Sequence, residues 1–171
     1  MKVLPADKTC IKSGFLCSNC QARLDAGEVI ELEIDLAKDL INLEEEQEEF
    51  AFLREISFYK AIDYEDIIIL VIGKKDKLKF TPKLITWIKE TYEIDYLILI
   101  EKSNNPRAVV EGLISPSKSA SLNEIFLATG DIEFRAVLRE DDRENILFTE
   151  EELQELILEL TGKICRVEFQ N

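Results

Sequence analysis

The same order of predicted elements (strand, strand, helix, strand) occurs twice in this chain of 171 residues. In the first occurrence, apolar runs predict strands at 57–64, 66–72 and 96–100, with a helix starting at Pro82 and capped by Thr81. In the second, strands are predicted at 122–128, 133–139 and 164–169, with a helix that begins after Thr149 in a capping box with Glu152. The match lies in the order of elements and not in residue identity, and it predicts two β-β-α-β units.

The segments around these units complete the predicted domain organisation. Residues 1–56 combine an irregular, cysteine-bearing stretch at 1–32 with a helix over 35–52, whose acidic run at 44–49 is interpreted as its solvent-exposed side. Residues 102–121 are predicted to be a linker with a short helix and a serine-rich connection at 115–121. The two units then span 57–101 and 122–171, so the sequence predicts an α+β fold.

The formal net charge of −14 bears on the partners of this chain. Affinity for nucleic acid comes largely from lysine and arginine side chains that neutralise phosphates, so the overall charge argues against tight non-specific binding. It fits a chain that meets another protein, or one that touches RNA only at a local basic patch. Residues 57–121 carry ten basic and nine acidic side chains, which makes the middle of the chain the place for such a patch.

Several classes of function find no support in the residues. The chain has no histidine for acid–base chemistry near neutral pH, no phosphate-binding P-loop and no nucleophile elbow, so we expect neither an enzyme nor a small-molecule substrate. The longest apolar run, at 67–72, is far shorter than the roughly 20 residues that a bilayer span needs. We therefore expect a cytoplasmic protein with no membrane partner.

Three cysteines near the N-terminus have the spacing Cys10-x6-Cys17-x2-Cys20. A C-x2-C knuckle presents two thiolates to one metal ion, and structural zinc takes four ligands in a tetrahedron. Cys10 supplies a third thiolate and Asp7, three residues earlier, a carboxylate, so Asp7, Cys10, Cys17 and Cys20 are the candidate ligands of one structural zinc ion. The alternatives are buried metal-free thiols or a disulfide from Cys10 to Cys17 or Cys20. Cys165 lies in a predicted strand, where packing in the core is its expected role.

The stretch Thr9-Cys10-Ile11-Lys12-Ser13-Gly14-Phe15-Leu16-Cys17-Ser18-Asn19-Cys20-Gln21, followed by Leu24-Asp25-Ala26-Gly27-Glu28, resembles an archaeal family of NusA-like KH-domain proteins. Many members carry a C-x2-C-x6-C-x2-C knuckle, a helix and two KH-like units, and the first of those four cysteines falls on Asp7 here. The resemblance implies a transcription elongation or termination factor whose partners are RNA or a component of RNA polymerase or a ribonucleoprotein. It also implies that both β-β-α-β units are KH-like.

The chain departs from the KH pattern at the loops that grip RNA. A KH domain uses a G-x-x-G loop between strand and helix, and neither unit has one. The second unit has the acidic stretch 139–144 at this place, which would repel phosphate. The first has a basic loop that carries the candidate RNA-binding residues Lys74, Lys75, Lys77, Lys79 and Lys83.

Two functions follow from this combination. In the first, the chain is a transcription-associated factor with weak or absent RNA affinity, and the lysines of residues 74–83 make a few phosphate contacts. In the second, it is an acidic adaptor whose KH-like folds bind a protein partner, and those lysines only balance nearby acidic groups. Trp87, Tyr92 and Phe80 are expected in the core or an interface and not in a base-stacking surface.

Overall fold

The computed structural model describes residues 1–118 and 121–171 and divides the chain into two compact units, Met1–Lys102 and Ser103–Asn171. The predicted α+β fold is confirmed, with helices, two three-stranded mixed sheets and a cysteine cluster near the N-terminus. The cysteine cluster lies in the same unit as the first β-β-α-β segment, and the short helix of the predicted linker lies in the second unit. The predicted serine-rich connection at 115–121 includes residues 119 and 120, which are outside the described residues.

The N-terminal part of the first unit is more helical than the sequence predicted. Two short helices and one long helix precede a 3-10 segment: α1 (Lys8–Ser13), α2 (Ser18–Asp25), α3 (Glu31–Glu46) and the 3-10 segment Glu48–Glu55. The first two helices have 6 and 8 residues, too few to show a repeating apolar stripe in the sequence. Local capping defines them, because the side chains of Asp7 and Cys17 accept hydrogen bonds from N–H groups of the first turns.

The acidic run of α3 is not entirely solvent-exposed, so the interpretation of 44–49 as an exposed face is wrong for Glu44. This side chain is 6% exposed and pairs with the amino group of Met1 and, at 3.6 Å, with Arg54. Glu33 in the first turn of α3 is also buried. Its carboxylate accepts hydrogen bonds from the N–H groups of Ile30 (3.0 Å) and Ala61 (2.8 Å), which fixes α3 against the first strand of the sheet.

The first sheet contains the predicted strands in the order β1 (Phe58–Tyr64), β2 (Ile67–Ile72), β3 (Tyr96–Glu101), with α4 (Pro82–Thr91) between β2 and β3. β1 and β2 are antiparallel, and β2 and β3 are parallel. Every residue of the central strand β2 is buried, as its continuous aliphatic sequence requires. Phe80 is buried, and Trp87 and Tyr92 pack against the core, which confirms their predicted location.

The second unit repeats this topology. It comprises α5 (Pro106–Leu113), β4 (Ser121–Phe126), β5 (Ile132–Arg139), a 3-10 segment (Glu140–Asn145), α6 (Glu150–Thr161) and β6 (Cys165–Gln170). β4 and β5 are antiparallel, and β5 and β6 are parallel. Gly130, with φ of 90°, lies in the turn between β4 and β5, and Cys165 is buried in β6. The order β-β-α-β is therefore present in both units.

None of the helices in residues 1–118 and 121–171 combines the length and apolar character needed to cross a bilayer.

Candidate functional site

The first candidate site is formed by three of the four cysteines, which α1 and α2 bring together. Cys10 lies on α1 and Cys20 on α2, both buried, whereas Cys17 precedes α2 and is exposed. The three Sγ atoms lie within 4.8 Å of one another, and none is in a disulfide. N–H···S hydrogen bonds also orient the thiols, from Cys17 N–H to Cys10 (3.3 Å) and from Cys20 N–H to Cys17 (3.5 Å).

The structure does not bring Asp7 into this group. Its Oδ1 accepts hydrogen bonds from the N–H groups of Thr9 (2.9 Å) and Cys10 (3.2 Å), so its carboxylate caps the N-terminus of α1. An aspartate at this position satisfies N–H groups that have no partner within the helix. Among the described residues, no fourth cysteine, aspartate or glutamate side chain joins the three thiols.

The chemistry of the three thiols suits a thiophilic metal ion. Zinc binds thiolates at about 2.3 Å in a tetrahedron, which places sulfur atoms about 3.8 Å apart, a spacing compatible with this cluster. The hydrogen bond from the backbone N–H of Cys20, together with the neighbouring thiols of Cys10 and Cys20, lowers the pKa of Cys17. The Cys17 N–H bond acts to lower the pKa of Cys10, but burial and the two neighbouring thiols outweigh it and raise that pKa to about 11. Cys10, Cys17 and Cys20 could therefore hold one metal ion, with one coordination position left for a ligand from outside the cluster.

The second candidate site is the lysine loop, defined here as residues 74–83, which follows β2. Lys79 and Lys83 are paired with carboxylates of their own unit: Lys79 with Asp76 (3.1 Å) and Glu55 (3.6 Å), and Lys83 with Glu49 (2.6 Å). The pairing with Asp76 also raises the pKa of Lys79. The remaining lysines of the loop are exposed, and their ammonium groups have no carboxylate partner in the part of the chain that the structure describes; these are Lys74, Lys75 and Lys77.

The loop also borders a concave surface that the sequence analysis did not identify. This basic cleft has a volume of about 590 Å³ and is lined by Lys2, Glu55, Ser57, Tyr59, Gly73, Lys74, Lys75, Asp76, Lys79 and Lys102. It lies where the parallel strands β2 and β3 both end, because Lys102 directly follows β3 and its N–H binds the carbonyl of Ile72 (2.8 Å). Lys2 reaches the same edge since Val3 pairs with Ser57 beside β1.

One signal in the sequence could have located this cleft. The carboxyl ends of parallel strands meet at one edge of a sheet, which is where ligands bind in open α/β sheets. Lys102 after the third predicted strand would thereby be placed beside residues 73–75 after the second. Lys2 gives no such signal, because its position depends on an isolated bridge between Val3 and Ser57.

The second unit has a smaller cleft at the corresponding edge. It measures about 430 Å³ and is lined by Val137, Arg139, Glu140, Asp141, Gln170 and Asn171, which follow or end β5 and β6. Its lining contains two acidic residues, Glu140 and Asp141, and one arginine, Arg139. The same fold therefore presents a basic cleft in one unit and an acidic one in the other.

The fold and these sites define an α+β protein with an N-terminal cysteine cluster and two β-β-α-β units of the same topology. No protein-family model matches this chain, and no curated protein matches it either. Among solved structures, the crystal structure of APE1850 is similar to it, with 18% identity and a TM-score of 0.49 over 68% of this chain and 88% of that one.

Proposed function

We propose that this chain is a transcription-associated factor that contacts RNA weakly through the lysine loop. The observation that carries this proposal is that Lys74, Lys75 and Lys77 are exposed and that their ammonium groups have no carboxylate partner in the described residues, although the whole chain has a net charge of −14. The association with transcription rests on the resemblance of residues 9–28 to the NusA-like KH-domain proteins. The role is one of binding and not of catalysis.

The contacts within the loop support weak affinity. Lys79 and Lys83 would have to leave carboxylates before they could meet phosphates, so three of the five lysines are immediately available. Backbone donors at the start of the loop offer little help, because three of them already have acceptors. The N–H of Gly73 binds the carbonyl of Ser57, and the N–H of Asp76 binds the carbonyl of Gly73. The N–H of Lys75 binds Oε1 of Glu101. A loop of this kind holds phosphate mainly by its ammonium groups, and such binding falls steeply with salt.

The alternative function is an acidic protein-binding adaptor, and two features favour it. Leu78 is 89% exposed between Lys77 and Lys79, an apolar group placed where a protein partner could cover it. Glu46 and Glu48 are also exposed and have no basic partner among the residues described. Under either function we place the protein in the cytoplasm, because its four free cysteines suit a reducing compartment.

Fluorescence anisotropy with a labelled single-stranded RNA tests the proposal. Three lysine contacts predict a slope of log affinity against log salt of about −2, at about −0.7 per contact. The triple variant Lys74→Glu, Lys75→Glu, Lys77→Glu should abolish binding. The variant Lys8→Glu, Lys118→Glu, Arg139→Glu is the matched control, since it changes the net charge equally at exposed positions outside the loop and should retain binding.

Two results would contradict the RNA-contact function. Absence of binding at low salt by the unmodified protein would favour the adaptor instead. Equal loss of binding in both triple variants would show that RNA responds to net charge and not to the loop.

A further inference from the structure

Lysines from outside the lysine loop also line the basic cleft, and most of its ammonium groups have no carboxylate partner among the described residues. Its two carboxylates, Glu55 and Asp76, both pair with Lys79, at 3.6 and 3.1 Å. Asp76 is 6% exposed and also accepts a hydrogen bond from the N–H of Ser57. The ammonium groups of the other four lysines of the lining have no carboxylate partner in residues 1–118 and 121–171; these are Lys2, Lys74, Lys75 and Lys102. The Glu101 carboxylate lies at the same turn, where it accepts a hydrogen bond from the backbone N–H of Lys75 (2.8 Å) and forms no ion pair with these four.

These four ammonium groups reach the cleft from three segments of chain. Lys2 comes from the N-terminal segment beside β1, Lys74 and Lys75 from the turn after β2, and Lys102 from the end of β3. The ammonium of Lys102 lies 4.1 Å from the ring centroid of Tyr59, which holds this charge at the wall of the cleft. The fold thereby gathers like charges that repel one another unless an anion separates them.

We propose that the basic cleft binds a terminal phosphate group, a phosphomonoester or a pyrophosphate end. A terminal phosphate carries about −1.5 to −2 charges near neutral pH, whereas an internal phosphodiester carries one, so several converging lysines favour the terminal group. The volume of about 590 Å³ lies within the range of about 300–1,000 Å³ that small-molecule sites occupy. Lysine binds such groups as a point charge, without needing the backbone donors that the turn has already used.

The corresponding cleft of the second unit supports this assignment by contrast. Its lining contains one arginine, Arg139, and two acidic residues, Glu140 and Asp141, of which Glu140 pairs with Arg143 at 3.0 Å, so the repeated topology does not by itself create a basic surface. Two sources carry the proposed chemistry, a free nucleotide and the 5′ end of an RNA. The assignment of an RNA 5′ end to the cleft rests on the proposed function, whereas the assignment of a terminal phosphate does not.

Isothermal titration calorimetry with inorganic pyrophosphate tests whether the cleft binds a terminal phosphate group. The double variant Lys2→Gln, Lys102→Gln should weaken binding about tenfold or more, because it removes two charge-assisted contacts. Lys77→Gln, in the loop but outside the lining, should leave pyrophosphate affinity unchanged. Lys102→Arg should retain most of the affinity, and Lys74→Gln alone should weaken it, so the result stands even if the double variant proves unstable. Absence of pyrophosphate binding, or equal binding by all variants, would overturn the proposal.

Two RNA oligonucleotides of one sequence, with a 5′-triphosphate or a 5′-hydroxyl, then distinguish the two sources. Tighter binding of the triphosphate form, with the preference lost in Lys2→Gln, Lys102→Gln, would assign the RNA end to the cleft. Pyrophosphate and ATP binding without RNA binding would uphold the cleft and refute the RNA-contact function. If RNA binding depends on Lys77 but not on the 5′ end, and pyrophosphate does not bind, the phosphate site in the cleft is refuted. The RNA-contact function then remains in place.

Discussion

The buried carboxylate of Asp76 accepts a hydrogen bond from the backbone N–H of Ser57 at 2.9 Å, which links the turn after β2 to the residue before β1. Gly73 allows this approach: a Cβ atom on Gly73 would lie 2.4 Å from Asp76 Oδ2 and 3.1 Å from Ser57 Cβ. This glycine therefore makes room for a carboxylate of the same chain.

Replacement of Asp76 should destabilise the first unit. Asp76→Ala leaves the buried N–H of Ser57 without a partner, and the loss of such a bond to a charged group costs about 1.5–3 kcal/mol. Chemical denaturation should show this decrease in the free energy of unfolding. Glu55→Ala is the control, because Glu55 is exposed and pairs with Lys79 at 3.6 Å, and exposed ion pairs of this kind contribute little to stability. Equal effects of the two substitutions would contradict the structural role of Asp76.

The cysteine cluster should bind one zinc ion per chain. Elemental analysis of protein purified without chelators should find about one equivalent, and Cys20→Ser should remove it. Cys165→Ser should retain the metal, since Cys165 lies in the second unit and is not part of the cluster. Removal of zinc should lower the melting temperature, because the 6-residue α1 and 8-residue α2 are too short to be stable alone. Metal-free protein with an unchanged melting temperature on addition of zinc would refute this prediction.

Substitution of Asp7 distinguishes a helix cap from a metal ligand. Asparagine caps helices about as well as aspartate, but its neutral amide is a poor zinc ligand. Because Asp7 accepts hydrogen bonds from Thr9 and Cys10 N–H, we expect Asp7→Asn to retain zinc affinity, measured by competition with a chromophoric chelator. Asp7→Ala should lower the melting temperature through loss of the cap. A large decrease in zinc affinity in Asp7→Asn would instead support the carboxylate as fourth ligand.

Tyr92 connects α4 to α3 through a hydrogen bond from its hydroxyl to Asp39 at 2.7 Å. Burial, followed by this bond to the Asp39 carboxylate, raises the pKa of Tyr92 above its usual value. The folded state therefore keeps the phenol protonated, so this contribution to stability is complete below about pH 10 and is lost as the unfolded chain ionises above it. Tyr92→Phe should destabilise the protein by about 1 kcal/mol at neutral pH.

The pH dependence of the unfolding free energy distinguishes the contribution of this hydrogen bond from that of packing by the tyrosine ring. The difference in unfolding free energy between the unmodified protein and Tyr92→Phe should shrink above about pH 10, since only the tyrosine can ionise in the unfolded state. Tyr96→Phe, at a residue 49% exposed, should change the unfolding free energy little at neutral pH. A difference that stays constant up to pH 11 would show that the hydroxyl makes no protonation-linked contribution.

Local signals explain why much of the fold could be predicted from the sequence. Thr81 caps α4 ahead of Pro82, Thr149 and Glu152 form the predicted capping box, and Gly162 ends α6 with φ of 69°. Each of these depends on residues within about four positions of one another. The strands follow equally local apolar runs, so both β-β-α-β segments could be placed.

The parts that could not be predicted depend on contacts between distant residues. The pairing of Lys83 with Glu49 joins positions 34 apart, and the bond from Ala61 to Glu33 joins positions 28 apart. Both Lys77 and Lys83 are candidate RNA contacts by sequence, but Lys83 is paired with Glu49, whereas the ammonium group of Lys77 has no carboxylate partner in the residues that the structure describes. The candidate RNA-binding lysines could therefore be listed from the sequence, but their availability to a ligand could not.

Release of Lys83 from its partner should strengthen RNA binding. Glu49 holds the ammonium of Lys83 through both carboxylate oxygens, each at 2.6 Å, so Glu49→Gln frees a fourth lysine of the loop. The slope of log affinity against log salt should then steepen from about −2 to about −3, with about −0.7 for each contact. Anisotropy titrations of the labelled single-stranded RNA over a series of salt concentrations would measure both the slope and the affinity.

Glu46→Gln is the matched control for this last experiment. It removes the same charge three positions away, but Glu46 is exposed and has no lysine partner within the described residues, so it frees no ammonium group. Its slope should remain near the original value, with a small gain in affinity from the lower net negative charge. If the two variants gain equally, long-range repulsion and not the number of available lysines limits binding. If neither variant nor the unmodified protein binds RNA, the acidic side chains have a different role. Loss of a protein complex in Glu46→Gln would then identify the chain as an adaptor.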